Sequence, residues 1–181
     1  MLDSEALDLV VVCVPHHVGR EVIEIAAEHG VIDMLLWCCS MPDRVLADTS
    51  ATARSDRTYG AEGTALIHFG YDSGLYGSAL LSRFIGPKSE QIRLVGSRGI
   101  VSLERGRLRR LDNHGEVIES LTREQSWPAA ATAQIDHFAR VIVGTRTNPS
   151  GPAEHLAHLA FITACYTSAR TRAAVNPKEL L

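Results

Sequence analysis

Thr64-Ala65-Leu66-Ile67-His68-Phe69-Gly70, then Tyr71-Asp72-Ser73-Gly74, then Leu75-Tyr76-Gly77-Ser78-Ala79-Leu80-Leu81-Ser82-Arg83 is a strand, a turn and a strand. The two apolar runs alternate with period two, and the segment between them holds the Asp, Ser and Gly that hairpin turns favour. Alternation places Tyr76, Ser78, Leu80 and Ser82 on one face of the hairpin, and Leu75, Ala79, Leu81 and Arg83 on the other. In the first strand, Leu66 and His68 face away from Ala65, Ile67 and Phe69. Working outward, Val45 to Ala53 precedes the hairpin as a further strand. Gln91–Val95, Ile100–Leu103, Arg107–Leu111 and Val117–Leu121 follow it. Six or seven consecutive strands on short turns imply a sheet that is mainly antiparallel.

The flanks are different in kind. Asp8-Leu9-Val10-Val11-Val12-Cys13-Val14-Pro15 is an acidic residue and an unbroken apolar run, the pattern of a strand buried on both faces. His16 to His29 follows with helical spacing of Val18, Val22, Ile25 and Ala26, and Gly30 stops it. This is one βα unit. Val31 to Ser40 is a short apolar helix whose only charge is Asp33. Ala130–Val143 and Pro152–Ala174 form two terminal helices. Arg54-Ser55-Asp56-Arg57 with Gly60 is the expected flexible loop.

Composition narrows the function classes. The chain has 181 residues, with 18 basic against 21 acidic side chains and a net charge of −3. That balance gives no general attraction to nucleic acid or anionic lipid. No apolar run reaches the length of a membrane span, and no basic leader is visible, so the expectation is a cytoplasmic protein. Cys13, Cys38, Cys39 and Cys165 show no metal-binding spacing and are expected to be reduced.

The order of these elements and several short motifs resemble the Gfo/Idh/MocA oxidoreductases, the glucose–fructose oxidoreductase and inositol dehydrogenase family. Asp8 to Pro15 with the helix ending Glu28-His29-Gly30 resembles that family's fourth strand and helix. Val31-Ile32-Asp33-Met34-Leu35-Leu36-Trp37 before Pro42 resembles the helix after its catalytic histidine. Gly63-Thr64-Ala65, Asp72-Ser73-Gly74, Gly96-Ser97-Arg98-Gly99, His137-Phe138, Pro149 and Tyr166-x-Ser168-Ala169 are similar to its sheet domain. The resemblance implies an α+β fold: an open, mainly antiparallel sheet with helices on one face, preceded by one βα remnant of a Rossmann domain. Residues 1–30 are the remnant and 31–181 the sheet domain.

The departures from the family pattern carry the functional expectation. The family opens with Gly-x-Gly-x-x-Gly, which holds a dinucleotide pyrophosphate at a helix N-terminus; this sequence has no such motif. The family's Glu-Lys-Pro strand end has no counterpart. Gly30 stands where its catalytic histidine would be, and Ala26 where that histidine's aspartate would be. Asp33 alone carries over. No cofactor and no metal are expected.

Two function classes remain. The first is a cofactor-independent enzyme doing acid–base chemistry (isomerisation, dehydration or cyclisation) on a small metabolite. Asp33 and His29, four residues apart, would exchange protons, and Tyr76 and His68 would polarise an oxygen. Tyr71, Trp37, Arg54, Arg57 and His16 would bind the substrate. The second is a non-catalytic binding or scaffold subunit pairing with a full-length relative. An NAD(P)-dependent oxidoreductase is the weaker reading. A homo-oligomer through the open sheet face is expected in either case, with Arg44 and the Tyr76 face as its candidates. Glu154, His155 and His158 share a helix, but such spacing alone does not specify zinc.

Overall fold

The computed structural model describes residues 7–15, 32–50, 63–82, 90–104, 106–122, 127–148 and 151–181; side chains are described for these except 7–15, 127, 129, 130, 153 and 154. Eight strands form one sheet: β1 (Leu7–Pro15), β2 (Arg44–Ser50), β3 (Thr64–Gly70), β4 (Tyr76–Ser82), β5 (Gln91–Gly96), β6 (Gly99–Glu104), β7 (Arg107–Leu111) and β8 (Val117–Thr122). Their order across the sheet is β2-β3-β4-β1-β5-β6-β7-β8. The helices are α1 (residues 32–39), α2 (Trp127–Ile142) and α3 (Pro152–Thr171), with a closing 3-10 turn at Pro177–Leu180.

The expected α+β class and mainly antiparallel sheet are what the chain forms. The hairpin centred on Asp72-Ser73-Gly74 pairs residue for residue, Thr64 with Ser82 through Gly70 with Tyr76. Gly74 supplies the left-handed backbone of the turn, at φ +94°. Gly99 does the same for the β5–β6 turn, and a Cβ there would lie 2.3 Å from the Leu111 carbonyl oxygen.

The position of β1 is the main addition to the sequence reading. The strand pairs parallel with β4, Leu9 with Tyr76 through Pro15 with Ser82, and antiparallel with β5 on its other side. β1 is thus hydrogen-bonded to strands from the other side of residue 30. A strand in a protein interior must satisfy its backbone groups on both edges, and the gap between β4 and β5 does so.

One sheet face is covered. Val45, Ala47, Ile67, Phe69, Ala79, Ile92 and Leu94 form a core with Ile32 and Leu35 of α1 and Phe161, Ala164 and Cys165 of α3. On α3, residues 158, 161, 165 and 168 recur at three- and four-residue spacing and are all buried, the signature of a helix laid on a sheet. Ser168 closes the packing at the β2 edge. Its Oγ accepts from the Ala47 N–H at 3.0 Å and donates to the Ala173 carbonyl at 2.7 Å. Val45 exchanges two backbone hydrogen bonds with Val175. The outward edge of β2 is thereby blocked against pairing with another strand.

Candidate functional site

The sheet divides the expected site residues between two sides. Asp33 lies on α1, on the covered side. Its carboxylate is 63% exposed, and Oδ1 lies 2.9 Å from Nε2 of His158, whose side chain is 11% exposed. The partner of Asp33 is thus a histidine 125 positions away on α3. His29, its expected partner, is outside the described residues, as are His16, Arg54 and Arg57. The His155 ring stands 5.6 Å from His158, tilted by 60°. Among the described residues, no group of three or more potential ligands is placed to hold a metal ion. Trp37 sits four residues beyond Asp33 and is 83% exposed, so α1 presents an acid and an indole on one outward stripe.

Tyr71 is buried, and its hydroxyl donates to the Ser40 carbonyl at 2.9 Å. Burial first, then the charges of Cys39 and Asp43, push its pKa well above the ordinary phenol value. It packs edge-on against Phe69 and fastens α1 to the hairpin. The hydroxyl expected to bind substrate is here engaged by the Ser40 carbonyl. Beside it, Asp43 accepts from the Asp72 N–H at 2.7 Å and from Lys178 Nζ. The Lys178 hydrogen bond, then that of Asp72, holds the Asp43 carboxyl below its ordinary range.

His68 and Tyr76 lie on the opposite, open side. His68 is exposed between buried Ile67 and Phe69. Tyr76 pairs with Gly70, which lies two residues from His68 and so shares its face. Leu46, Leu66 and Tyr76 are 42%, 38% and 58% exposed on this side. Strand register aligns three rows across β2, β3 and β4: Arg44–Gly70–Tyr76, Leu46–His68–Ser78 and Asp48–Leu66–Leu80. The sheet lies between Asp33–His158 and His68–Tyr76, so these four side chains do not converge on one substrate.

Residues 31–102 match the family model described as the GFO/IDH/MocA C-terminal domain. Over these residues the chain is similar to that family's C-terminal domain. Solved structures agree in fold. An oxidoreductase from Agrobacterium radiobacter, in complex with NAD+, L-tartaric acid and magnesium, superposes with a TM-score of 0.72 at 18% identity. The alignment covers 97% of this chain and 58% of that one. The WlbA dehydrogenase from Bordetella pertussis, in complex with NADH and UDP-GlcNAcA, gives 0.69 at 19% identity, over 94% of this chain and 56% of that one. An oxidoreductase from Thermotoga maritima gives 0.76 at 16% identity, over 97% and 55%. The chain spans little more than half the length of these solved structures. No curated protein matches it.

The residues that follow β1, where a dinucleotide-binding turn would lie, are outside the described residues. A nicotinamide dinucleotide sits at the carboxyl ends of parallel strands, on a glycine-rich turn before a helix. Here β1 has a single parallel neighbour, β4, which belongs to an antiparallel hairpin, and an antiparallel neighbour on its other side. Among the described residues no helix is long and apolar enough to cross a membrane.

Proposed function

We propose that this Gfo/Idh/MocA-like sheet domain works as an assembly subunit, binding a second copy of the chain through its open face. The observation that carries the reading is the asymmetry of the sheet. One face is sealed by α1 and α3, while the other leaves Leu46, Leu66 and Tyr76 in water across three adjacent strands. A cluster of large apolar side chains rimmed by Arg44 and Asp48 is the composition of a subunit contact. Sedimentation equilibrium of the purified chain tests it. The wild type should be dimeric, and Leu66→Glu and Tyr76→Arg should shift it to monomer while leaving its circular dichroism unchanged. A wild type that stays monomeric at tens of micromolar, or variants with unchanged mass, would overturn it.

A second reading, acid–base catalysis on a small metabolite without a nicotinamide, is favoured by the Asp33–His158 contact. Here the histidine is the buried member and the carboxylate the accessible one. Asp33 would therefore touch the substrate and His158 would orient it, with Trp37 as an apolar flank. Incubating the protein with small keto and hydroxy acids and sugars in D2O, followed by NMR, detects carbon-bound proton exchange. Exchange that Asp33→Asn abolishes supports this reading; none by wild type, or equal exchange by the variant, sinks it. Titration with NADH by calorimetry bears on both, because tight binding would return hydride transfer to first place.

A further inference from the structure

The open face changes character across β1. Leu46, Leu66 and Tyr76 lie on the β2–β4 side, and the β5–β8 side carries arginine. One row of the sheet crosses the divide. Ser78 pairs with Val11, Val11 with Arg93, Arg93 with Ser102, Ser102 with Arg109 and Arg109 with Ser120. Residues directly opposite on paired strands share a face. Arg93 and Arg109 therefore stand on the same side as Ser78 and its partner His68. We propose that Arg93 and Arg109 grip a phosphate group above Ser102, either inorganic phosphate or the phosphate monoester of a small metabolite.

Charge is the first support. On the open side of β5–β8 the charged residues are Arg93, Arg107, Arg109 and Glu104. Glu104 accepts from Arg109 Nη2 and, at 3.4 Å, from Gln91 Nε2. No ion pair among the described residues engages Arg93 or Arg107. One carboxylate thus faces three guanidiniums, which leaves an excess of positive charge. A phosphate monoester brings about −1.5 to −2 at neutral pH and matches that excess.

An idle donor is the second support. The Arg109 side chain is 31% exposed, yet its Nε–H is buried and has no hydrogen-bond partner among the described residues. Such an orphan is rare in a folded protein, and a bound ion is one of its ordinary explanations. With one donor on Glu104 and another idle, Arg109 has a fork to turn towards a ligand that accepts from both, in competition with Glu104. Ser102 lies between the two arginines in the row and is 4% exposed. Its small side chain leaves a floor between two long ones, and its hydroxyl is a further donor. Arg93 and Arg109 are two strands apart, about 10 Å between backbones, a span that two guanidiniums close on a tetrahedral anion. Each guanidinium is a planar fork that fits two phosphate oxygens. A carboxylate has only two oxygens and one charge, whereas a phosphate monoester has three free oxygens, enough for both forks and the hydroxyl.

Calorimetric titration of the intact chain at fixed ionic strength tests the site, with inorganic phosphate, phenyl phosphate and acetate as probes. Wild type should bind phosphate with a Kd of about 1 mM or tighter. Arg93→Gln and Arg109→Gln should each raise that Kd about tenfold or more. Glu104→Gln, which removes the competing carboxylate, should lower it about threefold. Arg110→Gln is the control, because Arg110 points to the other side of the sheet, pairs with Glu119 at 3.4 Å and should leave Kd unchanged. Arg93 is exposed and has no ion pair to lose, so its variant keeps the fold, which thermal melts verify. Tighter binding of phenyl phosphate than of phosphate assigns a monoester, and equal or weaker binding assigns the free ion; either upholds the site. The proposal falls if wild type binds no phosphate at about 10 mM, if Arg93→Gln binds like Arg110→Gln, or if acetate binds as tightly as phosphate. Leu66→Glu should bind phosphate like wild type, which keeps this result separate from that of the subunit contact.

Discussion

Replacing Ser168 by Ala tests how the sheet edge is sealed. Ser168 is fully buried, and its hydroxyl is at once acceptor for the Ala47 N–H and donor to the Ala173 carbonyl. The alanine variant keeps the packing volume nearly unchanged but strands two backbone groups. Each buried group left without a partner costs about 1–3 kcal/mol. Local relaxation and water entry at the edge reduce the sum, which we place at about 2–4 kcal/mol. A chain of this size loses roughly 2–4 °C of Tm per kcal/mol, so the expected fall is about 5–15 °C. Urea denaturation followed by circular dichroism gives the free energy directly. Thr171→Ala is the control: its hydroxyl donates to the Thr167 carbonyl at 2.9 Å within one exposed helical turn and should change stability by less than about 0.5 kcal/mol. A Ser168→Ala variant as stable as this control would show that the β2 edge does not depend on the α3 hydroxyl.

Gly99→Ala should cost about 2–4 kcal/mol, because it combines a left-handed φ of +134° with a methyl group 2.3 Å from the Leu111 oxygen. Gly115→Ala, at φ +89° with open space, should cost only about 1 kcal/mol; equal losses in urea melts would refute the steric argument. At alkaline pH, Cys39 and Cys165 are held protonated by burial, their pKa pushed up to about 12 from an ordinary 9.0. Between those values the unfolded chain releases protons that the folded chain keeps, so stability is full below pH 9 and falls as pH rises towards 12. The urea midpoint should decline through that range, less steeply in Cys165→Ala; a flat midpoint would count against buried thiols.

Much of the sheet was legible because local rules act within a few residues. The Asp72-Ser73-Gly74 turn sets the β3–β4 register, and alternation sorts buried Ile67, Phe69 and Ala79 from exposed Leu66, His68 and Tyr76. The position of β1 was not legible. An unbroken apolar run announces a buried strand but says nothing of which neighbours it takes. Parallel pairing with β4, some 65 residues later, is fixed only by the gap that the later strands leave. A strand read as part of a separate βα unit is for that reason compatible with one inserted into the sheet.

The Asp33–His158 contact shows what a sequence signal of this kind requires. His158 falls on the same α3 stripe as Phe161, Cys165 and Ser168, so helical phase alone directs an imidazole into an apolar layer. A buried polar group must find a hydrogen-bond partner. Asp33 is the one charge in the apolar run from Val31 to Ser40, a segment that must itself pack on that layer. Neither fact alone names the pair, and Asp33–His29 is the pairing that short spacing suggests. The folded chain joins Asp33 to His158 because the buried imidazole needs a hydrogen-bond partner and the largely exposed carboxylate reaches it from α1. The same logic separates the two function readings. If the contact is only such a brace, Asp33→Asn keeps a hydrogen bond to His158 and changes little. If Asp33 moves protons, the substitution removes the one group at that position able to accept them.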